Sequence, residues 1–330
     1  MLRIAFYNGP YDRKYLPGSV LTGCVVTGNR TPMSARFVKV EWEGRSSTCW
    51  SGASDAFAPC VFFKGEKLVW QQDVGTTKIF AGVQHFRFSF RLPDECPPSF
   101  NGKFGSIEYT IKGTINRPIL PNLHFERKFT VTKPFANPDA NLMTRCWSTS
   151  TDRVDAKKAN EVEITLSLPK RVYYPGDVLV PQVSIKNNFE LTPVTRVDLY
   201  LHQLSHYHTS PQERPCRSVY PVDCPLRAEN QEFSWEIVEQ RGVEMKVQPQ
   251  ERKTEEFHIN LPLDVVPSFE HPLITVEYAV KAVVDGGESS EPVYCSLGFQ
   301  VINPEDEPRR AEPLADFRSE RNFANFFVMD

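Results

Sequence analysis

The chain has 330 residues, which at roughly 150 residues per domain suffices for two domains with separate hydrophobic cores. Its 38 lysines and arginines are balanced by 41 aspartates and glutamates, giving a formal net charge of -3. A chain without a strongly basic field does not attract polyanions in general, which excludes the class of general nucleic-acid binders. Its 40% hydrophobic and 24% charged residues are typical of a globular protein and not of a disordered one.

Composition and local patterning both predict an all-β protein. Proline accounts for 27 residues, and proline interrupts long helices whereas strand ends and turns accept it. Apolar and polar residues alternate in several short segments, as in antiparallel strands with one buried face. The apolar members are Phe86, Phe88, Phe90 and Leu92; Ile107, Tyr109, Ile111 and Ile115; Val162, Ile164, Leu166 and Leu168; Val197, Leu199 and Leu201; Ile274, Val276, Tyr278 and Val280; and Cys295, Leu297, Phe299 and Val301. Runs of this kind predict sandwich strands.

An internal repeat indicates two copies of one domain. A Tyr-x-Pro-Gly motif at 15–18 returns at 173–176, and residues 92–113 align without gaps on residues 261–282. Eight of these 22 aligned pairs are identical, among them a Pro-Ser-Phe triplet and a Glu-Tyr pair. The repeat therefore predicts two sandwiches with the same topology.

The Pro-Gly step in each motif predicts a type II turn between two strands. Proline sets its own φ to about -65°, and the glycine that follows takes a positive φ without steric cost. The residues that determine these turns are Pro17 and Gly18 in the first copy and Pro175 and Gly176 in the second.

Segments without alternation divide the chain. The region from 133 to 160 holds two prolines and a polar stretch, and the residues after 303 are highly charged. We therefore predict tandem immunoglobulin-like β-sandwiches followed by a short flexible C-terminal tail. The predicted boundaries are 1–133 for the first sandwich, 134–160 for a linker, 161–303 for the second sandwich and 304–330 for the tail.

Cysteine usage and the first residues favour a cytoplasmic protein. Eight cysteines are scattered through predicted strands and loops, unlike the dense framework of a small secreted domain, so we expect all eight to be free thiols. The apolar start is interrupted by Asn8-Gly9-Pro10, too early for a secretory signal. No segment approaches 18 apolar residues, so we expect only peripheral association with membranes.

The repeated motifs resemble those of the arrestin-domain-containing (alpha-arrestin) family. The first Tyr-x-Pro-Gly is followed by Ile-Glu-Tyr-x-Ile-Lys at 107–112 and by Asn-Arg-Pro at 116–118, which is similar to the N-terminal arrestin domain. The second motif, at 173–176, and Val-Glu-Tyr-x-Val-Lys at 276–281 resemble the C-terminal domain. The resemblance extends from residue 1 to about 303 and implies two cupped arrestin-type sandwiches.

This resemblance implies a non-catalytic adaptor that uses no cofactor. Such proteins link the cytoplasmic tails of membrane receptors or transporters to the endocytic adaptor machinery, to ubiquitination and to sorting. The expected location is the cytoplasm, with recruitment to the plasma membrane or to endosomes. A second interpretation is an arrestin-like subunit of a sorting coat that resembles retromer, held permanently in a complex.

Basic residues of the first domain are implied as a phosphate or cargo site. Arrestin-like proteins hold phosphorylated receptor tails there, and Lys103 matches one such lysine by its position in the motif. Arg3, Arg13 and Lys14 near the first strand are further candidates for charge-assisted phosphate contacts. The competing interpretation is that all four are ordinary surface charges, because the chain has 38 basic residues.

No catalytic sequence motif is present, such as a nucleophile elbow, a Walker loop or a zinc-protease helix. One cluster has zinc-binding side chains, which are His202, His206, His208, Cys216 and Cys224. If the preceding strand continues, its three histidines share the solvated face. Cys-x7-Cys is not the short chelating spacing of structural zinc sites, so the preferred interpretation is a solvated loop face. The alternatives are a metal site and, through it, a metal-dependent enzyme.

The tail carries a candidate docking motif. Leu314, Phe317 and Arg321 form Leu-x-x-Phe-x-x-x-Arg behind acidic residues, which resembles the arrestin tail helix that docks on the clathrin adaptor appendage. The equal alternative is that the tail lies on its own first domain as an added edge strand.

A ubiquitin ligase is a further partner implied by the resemblance, although its usual binding motif is missing. Alpha-arrestins commonly carry Pro-Pro-x-Tyr, which WW domains bind as a polyproline II segment. The two adjacent prolines of this chain, at 97–98, lie in the first predicted sandwich and lack the tyrosine. We therefore expect no direct binding to WW-domain ligases.

Overall fold

The computed structural model describes residues 1–7, 14–51, 59–72, 78–79, 81–132, 143–149, 162–212, 224–284 and 292–303. Within these ranges the chain consists of β-strands and one short 3-10 helix, Ala228–Asn230, which confirms the all-β prediction. No helix in this part of the chain has the length and apolar character needed to cross a lipid bilayer.

The first sandwich contains two main sheets. Its strands are β1 (Leu2–Phe6), β2 (Lys14–Tyr15), β3 (Val20–Asn29), β4 (Met33–Ser34), β5 (Phe37–Thr48), β6 (Cys60–Gln71), β7 (Lys78–Ile79), β8 (Gly82–Arg91), β9 (Phe100–Asn101), β10 (Gly105–Asn116) and β11 (Leu123–Val131). One sheet has the order β1-β3-β8. The other has the order β2-β11-β10-β5-β6, with β9 added beside β10, and β4 pairs with β7 separately.

The second sandwich is built in the same way. Its strands are β12 (Cys146–Thr149), β13 (Val162–Leu168), β14 (Val172–Tyr173), β15 (Val178–Leu179), β16 (Gln182–Asn187), β17 (Val194–His208), β18 (Gln231–Val247), β19 (Arg252–Glu256), β20 (Ile259–Asn260), β21 (Phe269–Glu270), β22 (Ile274–Val284) and β23 (Val293–Val301). The sheets have the orders β12-β13-β16-β19 and β14-β23-β22-β17-β18, with β21 beside β22, and β15 pairs with β20.

The sequence repeat corresponds to a repeat of strand order. The larger sheet starts in both sandwiches with a parallel pair, β2 with β11 and β14 with β23, and continues with antiparallel strands. A two-residue strand, β9 or β21, pairs with the start of the central strand in each copy. The prediction of two sandwiches with one topology is therefore confirmed.

The repeated Glu-Tyr pair has the same structural role in both copies. The Tyr109 hydroxyl donates a hydrogen bond to Pro97 O at 2.6 Å, and the Tyr278 hydroxyl donates to Val266 O at 2.6 Å. Both tyrosines are buried among the apolar side chains of the core. Each bond satisfies a hydroxyl group away from water and fixes the loop before the central strand.

The repeated Pro-Ser-Phe triplet joins that loop to the last strand of each sandwich. Ser99 Oγ accepts a hydrogen bond from Val131 N at 3.0 Å, and Ser268 Oγ accepts one from Val301 N at 2.9 Å. In return, each serine donates its backbone N–H to the carbonyl of the same valine, at 2.7 Å in both copies. The two bonds at each serine join the loop before the central strand to the last strand of the sandwich and satisfy the backbone polar groups of the valine.

The two Pro-Gly steps have type II turn geometry. Gly18 has a φ of 74° and Gly176 a φ of 87°, a region that favours glycine because a Cβ atom would be strained there. The i to i+3 hydrogen bonds are Ser19 N to Leu16 O, at 3.2 Å, and Asp177 N to Tyr174 O, at 2.9 Å.

One strand lies inside the range predicted as a linker, which corrects that part of the prediction. β12 pairs antiparallel with β13, and its Cys146 lies opposite Leu168. Cys146 is buried and Trp147 is exposed, so the strand has the expected alternation, but four residues are too few to reveal it in the sequence. The second sandwich therefore begins before residue 161.

Candidate functional site

The two sandwiches meet through aromatic side chains at corresponding places in the repeat. Phe100 and Phe269, the last residues of the two Pro-Ser-Phe triplets, contact each other with ring centroids 5.5 Å apart and an interplanar angle of 67°. Phe104 meets Tyr207 edge to face at 5.7 Å. A single cluster of buried apolar side chains consequently extends through both sandwiches. The repeated phenylalanine is a contact between the domains, a role that its sequence pattern did not reveal.

Polar groups also join the two sandwiches. Thr48 Oγ1, at the end of β5, donates a 2.7 Å hydrogen bond to His208 O at the end of β17. The His271 ring lies 5.4 Å from the Phe62 ring of the first sandwich. Burial lowers the pKa of His271 to about 4, so this histidine is neutral at physiological pH.

The histidines of β17 are not on a solvated loop, which corrects the preferred interpretation of the sequence. They lie within the strand, and His206 and His208 are 0% and 1% exposed. The alternation of the strand does place them on the face that turns away from the sandwich core. At this end, however, the segment from Cys224 to Gln231 and the first sandwich cover that face. Coverage by distant segments is invisible to a local sequence pattern.

The structure brings His206, His208 and Cys224 together. Cys224 Sγ lies 3.4 Å from His208 Nε2, and the two imidazole rings have centroids 4.4 Å apart. His208 Nδ1 donates to Pro272 O at 3.1 Å, and His206 Nε2 donates to Gln231 Oε1 at 3.2 Å. One ligand atom from each of the three side chains lies within 4.8 Å of the others.

Burial keeps these imidazoles neutral. The pKa of His206 is lowered to about 4, chiefly by burial and secondarily by the neighbouring His208. Burial also lowers the pKa of His208. Since neutral imidazole is the form that binds metal ions, the environment selects the ligand form of both side chains.

His202 is separate from this cluster. Its ring lies 5.6 Å from the Tyr200 ring and 6.0 Å from the Trp235 ring, between centroids. Burial, together with Lys281, lowers its pKa. His202 therefore belongs to an aromatic surface on the same sheet. Cys216 lies outside the described residues.

That aromatic surface covers the outer face of the larger sheet in the second sandwich. Trp235 and Ile237 are 46% and 56% exposed on β18, beside His202 and Tyr200 on β17. On the other side of Tyr200, the Lys281 ammonium group lies 4.2 Å from the centroid of the Tyr294 ring. We call these six residues the aromatic face: Tyr200, His202, Trp235, Ile237, Lys281 and Tyr294.

A β-bulge explains why these apolar residues point outward. Pairing between β17 and β18 shifts by one residue where Leu201 lies opposite Glu239 and His202 lies opposite Ile237. A one-residue shift reverses the faces of a strand. Trp235 and Ile237 therefore point away from the core, whereas Met245, at the same alternation in the sequence, points into it. The alternating Trp-x-Ile pattern is visible in the sequence, but it does not indicate that these side chains lie on the outer face of the sheet.

The corresponding face of the first sandwich is charged. Lys39 Nζ contacts Glu41 at 2.9 Å and Glu66 at 3.0 Å, and Lys128 Nζ contacts Glu108 at 2.6 Å. Lys128 is the main cause of a lowered pKa at Glu108. We call the outer side of the β11-β10-β5-β6 strands the charged face.

The proposed phosphate-binding residues lie on separate elements. Arg3 is exposed on β1, Lys14 is exposed on β2, and Lys103 lies between β9 and β10, with Nζ 4.8 Å from the centroid of the Phe104 ring. Arg13 lies outside the described residues. The phosphate role of these four side chains remains a prediction.

The candidate tail motif, Leu314, Phe317 and Arg321, also lies outside the described residues.

Seven of the eight cysteines lie within the described residues, and these seven form no disulfide bond. They are Cys24, Cys49, Cys60, Cys96, Cys146, Cys224 and Cys295.

Comparison with known proteins finds relatives among the arrestin domain-containing proteins. An arrestin domain-containing protein 4 of Mus musculus is 24% identical over 197 residues, covering 52% of this chain and 46% of that protein. An arrestin domain-containing protein 17 of Caenorhabditis elegans is 25% identical over 207 residues, with coverages of 57% and 48%. The chain thus spans about half the length of these curated relatives. A human arrestin domain-containing protein 5 is 33% identical over 114 residues, with coverages of 32% and 33%.

Two family models cover most of the chain. The model of the arrestin (or S-antigen) N-terminal domain matches residues 4–137. The model of the arrestin (or S-antigen) C-terminal domain matches residues 158–305. These ranges contain the two sandwiches and both copies of the repeat, so this chain belongs to the arrestin family, whose members are generally non-catalytic.

Proposed function

We propose that this protein is a trafficking adaptor that binds cytoplasmic segments of membrane receptors or transporters and links them to endocytosis and sorting. Membership of the arrestin family supports an adaptor without catalytic activity. The proposed location is the cytoplasm, with recruitment to the plasma membrane or to endosomes, where such segments are accessible.

The aromatic face carries this proposal. Apolar side chains scattered singly over a surface are ordinary, but exposed and half-buried aromatic residues that adjoin on one sheet face are typical of a docking surface. Tryptophan and tyrosine bury a large area at low entropic cost, and they are the residues that most often dominate binding energy. Trp235 is the central anchor because it contacts His202 and lies beside the exposed Ile237.

The charged face supports a second contact by the same adaptor. Its lysines and glutamates are mostly paired with each other, as in Lys39 with Glu66, so it presents no large field of one sign. Charges of this type determine partner selection more than affinity. We propose that the aromatic face binds the cargo segment and that the charged face adjoins the endocytic machinery.

The test compares the plasma membranes of cells that lack the protein with those of cells that regain it. Biotin labelling of surface proteins, followed by mass spectrometry, identifies receptors or transporters that accumulate without the adaptor. Wild-type protein restores their internalisation. The double variant Trp235→Ser/Ile237→Ser does not, because loss of a central aromatic anchor weakens binding by about 10–100-fold.

Val83→Ser is the matched control. Val83 is an exposed apolar residue on β8 in the β1-β3-β8 sheet, outside both the aromatic face and the charged face, so this variant should restore internalisation fully. The proposal fails if no membrane protein accumulates, or if the double variant restores internalisation as well as wild-type protein does. Permanent co-purification with a fixed partner in equal amount would indicate the sorting-coat alternative instead.

A further inference from the structure

The cluster of His206, His208 and Cys224 contains an unused ligand atom. His206 is fully buried, and its Nδ1 atom has no hydrogen-bond partner. Because Nε2–H donates to Gln231 Oε1, the tautomer leaves a lone pair on Nδ1. A buried polar atom without a partner destabilises the folded protein, because it has lost its hydrogen bond to water. Its presence beside a thiol and a second imidazole indicates that something else binds there.

Both histidines are oriented as metal ligands are. A metal-binding histidine almost always donates its other ring N–H to a carbonyl or carboxylate group, which fixes the tautomer and raises the basicity of the free nitrogen. Here His208 donates Nδ1–H to Pro272 O, which directs the Nε2 lone pair at Cys224 Sγ. His206 donates to Gln231 Oε1 in the same manner.

The spacing suits zinc. With Zn–N distances of about 2.0–2.1 Å and a Zn–S distance of about 2.3 Å, tetrahedral coordination separates nitrogen and sulfur ligands by about 3.6 Å. Cys224 Sγ and His208 Nε2 are 3.4 Å apart. One ligand atom from each of the three side chains lies within 4.8 Å of the other two, which is close enough for the three side chains to share one ion. Two imidazoles and one thiolate are a ligand set that favours zinc over calcium or magnesium.

The surroundings hold the ligands in place. The Phe233 ring stacks on His206 with centroids 4.2 Å apart and an interplanar angle of 11°. Gln231 Nε2 donates to Leu226 O at 2.9 Å, which ties the segment that carries Cys224 to β18. His206 and His208 lie on β17 and have their orientation fixed by neighbours, which are the conditions for a preorganised metal site.

We propose that His206, His208 and Cys224 bind one zinc ion. Its role is structural, and it does not depend on the proposed adaptor function. The ion fastens the segment before β18 to the end of β17, where His208 O also accepts the hydrogen bond from Thr48 of the first sandwich. Zinc thereby stabilises the junction between the two sandwiches.

The first experiment measures metal content. Full-length protein, purified under reducing conditions with any histidine tag removed, should contain about one zinc ion per chain by plasma mass spectrometry. Removal of the ion by a chelator should lower the melting temperature. Adding back free zinc at about 100 times its Kd should raise the melting temperature by about 5 °C.

Cobalt substitution identifies the ligands. Co²⁺ in the metal-free protein should give visible bands of tetrahedral coordination and a near-ultraviolet thiolate-to-cobalt band. Cys224→Ser should abolish the thiolate band and the bound zinc, because serine is a poor ligand at neutral pH. Cys49→Ser is the matched control, since Cys49 is exposed and lies outside the cluster, and it should leave both signals unchanged.

The orienting role of Gln231 has its own test. Gln231→Glu keeps the oxygen that accepts from His206, whereas Gln231→Leu removes it. Both variants lose the amide bond to Leu226 O, so their difference reports the accepting oxygen together with the carboxylate charge. Gln231→Leu should lower zinc affinity by about 10–100-fold relative to Gln231→Glu.

Three outcomes overturn the proposal. The first is a wild-type protein without zinc whose metal-free form shows no thiolate band with Co²⁺. The second is a Cys224→Ser variant that retains zinc and the visible bands. The third is equal zinc affinity in the two Gln231 variants, which would show that His206 is not a ligand.

Discussion

Lys112 of the first sandwich and Lys281 of the second occupy the same place in the repeat, yet their surroundings differ in kind. Lys112 lies opposite Glu41 on one neighbouring strand and Glu126 on the other. Lys281 has its ammonium group over the Tyr294 ring, and burial lowers its pKa. One lysine lies among carboxylates and the other among aromatic rings.

The contrast shows which part of the repeat is constrained. Inside each sandwich, the tyrosine hydroxyl, the serine and the interdomain phenylalanine make the same contacts in both copies. Close packing of the core permits few substitutions there. The outer faces have no such restriction, so each can suit a different partner. We therefore propose that partner choice lies on the outer faces, whereas the shared interior provides stability.

The largest expected effects on the free energy of unfolding are those of the interdomain pair, Phe100 and Phe269. Phe100→Ala and Phe269→Ala should each lower the free energy of unfolding by ~3–5 kcal/mol, because both rings are buried and each truncation leaves a cavity. The double variant should cost about 0.5–1.5 kcal/mol less than the sum, since the two rings interact only once. Urea denaturation measures all three values.

Phe88→Ala is the control for this pair. Phe88 is equally buried but lies inside the first sandwich, so its effect should add to that of Phe269→Ala without coupling. Additive effects of the Phe100 and Phe269 substitutions would contradict a direct contact between the sandwiches.

The second test concerns His271, which lies at the same interface between the two sandwiches. His271 corresponds in the repeat to Gly102, and burial lowers its pKa to about 4, compared with about 6.5 in an unfolded chain. The unfolded state therefore binds more protons between these values, and stability falls as the pH falls from 6.5 towards 4. The contribution of His271 reaches about 3 kcal/mol over this window.

His271→Gln should flatten this part of the stability profile. Urea denaturation at pH 7, 6, 5 and 4.5 should show a smaller loss for the variant than for wild-type protein. His258→Gln, at an exposed histidine, should leave the profile unchanged. Equal slopes for wild-type and His271→Gln protein would show that His271 does not titrate in this window.

The sequence predicted the parts of the fold that depend on local pattern. The alternating runs at 86–91, 107–115 and 274–280 lie in β8, β10 and β22, with their apolar members buried. The duplicated motifs predicted the two domains, because a repeat of this spacing specifies a repeat of topology. Such predictions succeed because a strand with one wet face has a period of two.

The sequence failed where distant segments decide the environment. His206 and His208 alternate with core residues and look solvated, but residues near 224–231 cover them. Trp235 and Ile237 look like core residues, but a bulge turns them outward. Neither a covering segment nor a one-residue shift in pairing has a reliable local signature. The candidate metal ligands could thus be named from the sequence but not placed.

A third test compares how much the two repeated tyrosine hydroxyl groups contribute to stability. Tyr109→Phe and Tyr278→Phe each remove a buried hydrogen bond and leave a carbonyl oxygen without its donor, so each should cost about 1–2 kcal/mol. The Tyr278 hydroxyl also contacts the side-chain amide of Gln203 at 3.0 Å, whereas the second partner of Tyr109 is the Cys96 thiol. Because a thiol is a weak hydrogen-bonding group, the Tyr278 substitution should cost more. Thermal denaturation of the two variants measures the difference, and a Tyr109→Phe variant with the larger cost would refute the order.

The smallest expected effects on stability come from one substitution on each outer face, and they compare the chemistry of the two faces. Glu66→Gln should change stability by at most ~0.5 kcal/mol, because the Glu66 side chain is exposed and Lys39 keeps Glu41 as a partner. Tyr294→Leu removes the ring beneath Lys281 and should cost ~0.5–1 kcal/mol. Salt distinguishes the two further, since ions screen exposed charge pairs over about 8–10 Å. Raising the salt concentration should abolish the effect of Glu66→Gln and leave most of the effect of Tyr294→Leu, because ions do not screen the apolar part of the contact between the Tyr294 ring and Lys281. If salt abolishes the stability effects of both substitutions equally, the two faces are held together by similar interactions. That result would contradict the proposal that the aromatic face is a distinct binding surface.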